Sequence, residues 1–95
     1  MGKHESQKNL SHDFRIIWER LRVKDCPSLR TPEGRSFEAS ATTVTDGSYP
    51  GDRVIIITQD GKESARIYSC CWGHTTNCDG TPIGDYGDAL DRWTK

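Results

Sequence analysis

The chain of 95 residues lacks any apolar run long enough to span a membrane; its longest is Val54-Ile55-Ile56-Ile57. No hydrophobic segment of the kind a secretory signal needs follows Lys3 and Lys8, so a cytoplasmic protein with reduced, free cysteines is expected. A surplus of one charge is missing as well. The formal net charge of −1 argues against broad attraction to nucleic acid or anionic lipid, and neither is expected as a partner. Internal repeats, low-complexity tracts and paired Cys-x2-Cys knuckles are all absent. Apolar residues make up only 33% of the chain, which implies a thin core and makes a homodimer the expected state.

What is present divides into segments of clear character. Residues 1–10 are polar and read as a flexible tail before a single α+β domain over 11–95. Phe14, Ile17, Trp18 and Leu21 recur at helical spacing, predicting a helix from Ser11 to about Lys24, before Pro27. Residues 25–35, with Pro27, Pro32 and Gly34, read as a loop. Phe37, Ala39 and Ala41 then alternate with polar residues as in a half-buried strand, extended by Thr42–Thr45. A second strand follows at 54–57. Asp60-Gly61 marks a hairpin turn into a third, from Glu63 to about Trp72. Thr81-Pro82 reads as the start of a last helix carrying Ile83, Tyr86, Leu90 and Trp93 on one stripe. The expected architecture is α-β-β-β-α, a three-stranded antiparallel sheet with two helices.

That order is similar to the double-stranded-RNA-binding domain, a family that enters its last helix through a basic, glycine-rich segment. Here the corresponding stretch, 80–88, carries Asp85 and Asp88 and no lysine or arginine, so the likeness stops at topology. Charge is also uneven along the chain. Residues 1–35 hold eight Lys/Arg against five Asp/Glu, a net of +3; residues 36–95 hold five against nine, a net of −4. The asymmetry suits pairing of two subunits.

With a two-residue turn at Asp60-Gly61, Ile56 should face Ala65 and Val54 should face Ile67. Ile55 and Ile57 then share the other face with Arg66, Tyr68, Cys70 and Trp72, and a bulge would exchange the isoleucines. An apolar second face predicts an interface. The leading reading is therefore a non-enzymatic interaction or ligand-binding module, homo-oligomeric, with binding residues Arg66, Tyr68, Trp72, His74, Asn77 and Tyr49.

The stretch Cys70-Cys71-Trp72-Gly73-His74-Thr75-Thr76-Asn77-Cys78-Asp79-Gly80 concentrates the remaining chemistry. Cys71, His74 and Cys78 have spacings compatible with tetrahedral zinc, the one cofactor considered, and Cys70 or Cys26 could supply a fourth sulfur, although strand alternation should turn Cys70 away from Cys71. Cys71, His74 and Asn77 could form a nucleophile, base and orienting group, which is the enzyme alternative. Asn77-x-Asp79-Gly80 echoes part of an EF-hand loop, but places Tyr86 where the last glutamate belongs. Asp79, Asp85, Asp88 and Asp91 form an acidic run suited to a basic partner segment. Met1-Gly2 with Ser6 fits the short N-myristoylation pattern.

Overall fold

A computed structural model describes residues 8–23, 28–44 and 52–93, with backbone alone for 8–12 and Trp93. Tyr49, Cys26 and the acylation pattern at the first residues lie outside the described residues, as does the side chain of Trp93. The elements are α1 (Lys8–Val23), β1 (Ser28–Arg30), β2 (Ser36–Thr43), β3 (Arg53–Gln59), β4 (Lys62–Tyr68), a 3-10 turn (Ser69–Cys71) and α2 (Tyr86–Trp93). The fold is a small α+β domain with an antiparallel sheet in the order β1-β2-β3-β4. The helix α1 begins three residues before the expected domain boundary.

The sheet has four strands rather than three. The extra strand is Ser28–Arg30, which pairs through Leu29 with Phe37 inside the expected loop. Three residues are too few to show a period, so the chain offered no alternation to read. Its hairpin is held locally: Thr31 exchanges backbone bonds with Gly34 and Arg35 at 2.9 and 2.8 Å, and its hydroxyl accepts the Arg35 amide at 3.1 Å.

Asp60 and Gly61 do form a two-residue turn, with positive φ of 57° and 78°, the geometry that matches the twist of paired strands. The register then slips. Thr58 pairs with Glu63 but Ile57 pairs with Ala65, leaving Ser64 as the extra residue of a β-bulge. Ile55 therefore faces Ile67, and the inward face carries Phe37, Ala39, Ile55, Ile57 and Ile67. The expected pairing of Ile56 with Ala65 is replaced by Ile56 with Arg66. One isoleucine, not two, lies on the outer face, beside Val54, Arg66 and Tyr68. Because of the bulge, Glu63 and Arg66 also share that face, and the guanidinium donates to the carboxylate at 2.6 and 3.1 Å. In a regular strand, residues three apart point to opposite sides.

Both helices contribute to one core on the inward face. Phe14, Ile17, Trp18 and Leu21 of α1 are buried as their spacing predicts, together with Tyr86, Ala89 and Leu90 of α2. Phe37 meets Tyr86 edge-on at 4.9 Å, and the Tyr86 hydroxyl lies 3.1 Å from Ser64 Oγ and 3.2 Å from Gln59 Oε1. Arg35 stacks over the same ring and donates to Asp85 at 2.7 Å, tying the β1–β2 turn to the start of α2. That start is later than Thr81-Pro82. Gly84 has φ of +67°, a left-handed conformation that a right-handed helix cannot pass through.

The register makes a direct prediction. Ile55→Ala and Ile57→Ala should each cost about 2–5 kcal/mol, as deletions from a closed core. Ile56→Ala on the half-buried outer face should cost roughly 1 kcal/mol. Urea unfolding of the three variants checks the order, and equal losses would contradict the bulge.

Candidate functional site

The strand β4 lies at the sheet edge and ends at Tyr68, four residues before the expected limit. The backbone then tightens into the 3-10 turn. This turn has two effects that strand geometry would forbid. It sends Trp72 into the core, 4% exposed and 5.7 Å edge-on from Phe14, so Trp72 is not on the outer face with Arg66 and Tyr68. It also brings Cys70 and Cys71 side by side, with their Sγ atoms 3.6 Å apart.

From Trp72 the chain runs out and returns along itself. Thr76 bridges Pro82, Asn77 donates its amide to the Thr81 carbonyl at 2.8 Å, and Ile83 donates to Thr75 at 2.8 Å. Asn77-Cys78-Asp79-Gly80 is the tip, closed by the Gly80 amide on the Asn77 carbonyl at 2.9 Å. The Asp79 carboxylate accepts the amide and the hydroxyl of Thr81, at 3.0 and 2.7 Å; these bonds hold its pKa below the usual carboxylate range. This explains Asp79 without a cation.

Asn77 fastens the excursion to the sheet. Its side-chain amide is buried, donating to the Arg66 carbonyl at 2.8 Å and to Thr81 Oγ1 at 2.9 Å, while its oxygen accepts a longer bond from the Tyr68 amide at 3.5 Å. The side chain thus stands where a neighbouring strand would pair with β4. Committed in this way, Asn77 is not placed to orient an imidazole, and it is a structural residue rather than a ligand-binding one.

Three thiols meet beside it. Cys71 Sγ lies 3.5 Å from Cys78 Sγ and accepts the Cys78 backbone amide at 3.2 Å. The Sγ atoms of Cys70, Cys71 and Cys78 all fall within 4.8 Å of one another, the one such group of three among the described residues. His74 is not part of that group, so the expected set of Cys71, His74 and Cys78 is replaced by one in which Cys70 takes the place of the imidazole. The three are free thiols, graded from buried Cys71 through half-buried Cys70 to exposed Cys78. Burial pushes the Cys71 thiol up to about 12, with its thiol neighbours adding to the rise, and burial likewise raises Cys70. An activated nucleophile needs the opposite shift.

A cleft of about 310 Å³ opens against the same excursion. Trp72, Gly73, His74 and Thr75 form one wall, Ile83 and Gly84 a second, and Gly87, Asp88 and Asp91 of α2 a third; Asp13 of α1 completes it. Asp88 and Asp91, three apart, share a helix face. The rest of the acidic run is used elsewhere, Asp79 in its turn and Asp85 on Arg35. Three carboxylates and an exposed histidine line the cleft, and no lysine or arginine is among the described lining residues. Spacing does not mark Asp13, and it offers Cys70 only as a fourth sulfur beside Cys71, His74 and Cys78; both reach their sites through tertiary packing.

Comparisons with family models, with curated proteins and with solved structures found no match. The site is therefore read from its own geometry. Among the described residues, no helix is long and apolar enough to cross a membrane.

Two outcomes follow from this geometry. Asn77→Ala should cost about 1–3 kcal/mol and speed hydrogen exchange of the Tyr68 amide, and Asn77→Asp should lose similarly because it turns a carboxylate oxygen onto the Arg66 carbonyl. Under timed alkylation read by mass spectrometry, Cys78 should react first and Cys71 last among the three thiols.

Proposed function

We propose that the chain is a non-enzymatic interaction module that receives a basic segment of a protein partner in the cleft between the 72–75 wall and α2. The observation that carries this reading is the lining itself: the carboxylates of Asp13, Asp88 and Asp91 gathered from two helices around an aromatic edge. An arginine suits such a space. Its flat guanidinium bonds two carboxylates at once through a fixed fork of N–H donors. Gly73, Gly84 and Gly87 keep the walls low; a Cβ at Gly87 would lie 3.9 Å from Trp72 Cζ3.

Of the residues expected to bind, Trp72 and His74 support this reading through the cleft. Arg66 and Tyr68 lie on the outer sheet face, where Arg66 is engaged by Glu63. The basic first third of a second copy of the chain is one source of the segment, and a homodimer is the state proposed on that ground. A reducing cytoplasm is the compartment that suits three neighbouring thiols.

The test is titration of the labelled protein with an arginine-rich peptide and with its glutamate counterpart. Amide shifts are expected at Gly73, His74, Thr75, Gly84 and Gly87 with the basic peptide only. Asp88→Asn should weaken binding roughly tenfold, as should high salt. Shifts confined to Ser40, Ile56, Arg66 and Tyr68 would move the interface to the outer sheet face, and no shift with either peptide would remove the reading. Sedimentation equilibrium on the wild type and on Asp88→Asn decides whether a second copy supplies the segment.

A further inference from the structure

We propose that Cys70, Cys71 and Cys78 form a binding site for a thiophilic divalent cation of the zinc class. The inference is independent of the cleft. Zinc–sulfur bonds of about 2.3 Å in a tetrahedron set neighbouring sulfurs about 3.8 Å apart. The Sγ separations of 3.6 Å for Cys70–Cys71 and 3.5 Å for Cys71–Cys78 are already close to that edge, and the third pair falls within 4.8 Å. An ion seated just above this triangle is therefore reached by side-chain adjustments of up to about an ångström.

Two further features point the same way. The Cys78 backbone amide donates to Cys71 Sγ at 3.2 Å, and a donor of this kind stabilises a metal-bound thiolate. Exposure is also graded, so that the buried Cys71 anchors the site while the exposed Cys78 leaves it open to solvent. A water as fourth donor completes the tetrahedron from that side. On binding, each thiol that becomes a ligand releases its proton to solvent, and no oxidant or reductant takes part.

The consequence is a staple. Cys70 and Cys71 lie in the 3-10 turn that follows β4, and Cys78 sits at the tip of the excursion, so one ion ties the tip to the end of the sheet alongside Asn77. A small, thin-cored domain gains most from such a clip.

The experiment is addition of Co²⁺, then Zn²⁺, to the reduced, metal-free full chain. One equivalent of cobalt should produce thiolate-to-metal charge-transfer absorption, zinc should displace it, and the melting temperature should rise. Cys78→Ser, at an exposed tip, should retain the fold by circular dichroism and weaken zinc binding by roughly 100-fold or more, beyond what loss of a supporting contact costs. Cys70→Ser should do the same, whereas Cys26→Ser should leave binding unchanged. Absence of charge-transfer absorption, its persistence in Cys78→Ser, its loss in Cys26→Ser, or one ion shared by two chains would each overturn the proposal.

Discussion

The described structure depends on one side chain standing in for a strand. The strand β4 would expose its outer backbone edge, and Asn77 places a primary amide against it. A primary amide both donates and accepts, as a peptide group does, and here it bonds the Arg66 carbonyl, the Tyr68 amide and Thr81 Oγ1 at once. Everything from Cys70 to Ile83 is positioned by that attachment. The thiols converge because the tip carrying Cys78 is held down beside the 3-10 turn, and the cleft has a wall because the outgoing chain is held beside the returning one. Few other residue types combine a buried volume this small with donor and acceptor on one planar group.

A second constraint is the bulge at Ser64. Inserting one residue exchanges the faces of β4 relative to the turn, which selects Ile55 and Ile57 for the core and leaves Ile56 outside. The extra residue is not idle, since its hydroxyl reaches Tyr86 and so connects the sheet edge to α2. The same insertion puts Glu63 and Arg66 on one side, where their pairing leaves the outer face less available to a partner than the pattern of apolar residues implied.

The thiol cluster and the acidic cleft both lie against a single excursion, joined through Cys71-Trp72-Gly73-His74. Trp72 is the pivot: its ring fills the core against Phe14, its edge borders the cleft, and its neighbour Cys71 is the buried thiol. The eleven residues 70–80 thus supply the thiols of one cluster and part of the wall of a cleft whose carboxylates come from α1 and α2.

By itself the sequence determined the helix at Phe14–Leu21, the alternation of β2, the hydrophobic β3 and the Asp60-Gly61 turn. These are set by periods and turn preferences acting over a few residues, so local pattern suffices. It also gathered three of the four cysteines into the 70–80 stretch. Tertiary structure alone decided the rest. The edge strand β1 is too short to have a period, and the bulge at Ser64 is chosen by what Tyr86 and the core need. The left-handed Gly84, which delays α2, belongs to the return of the excursion. The pairing of Cys70 with Cys71 contradicts strand alternation because the strand gives way to a 3-10 turn after Tyr68, and Asn77, nine residues onward, binds the edge just before that turn. A contact at that distance leaves no periodic trace in the chain, and only packing reveals it.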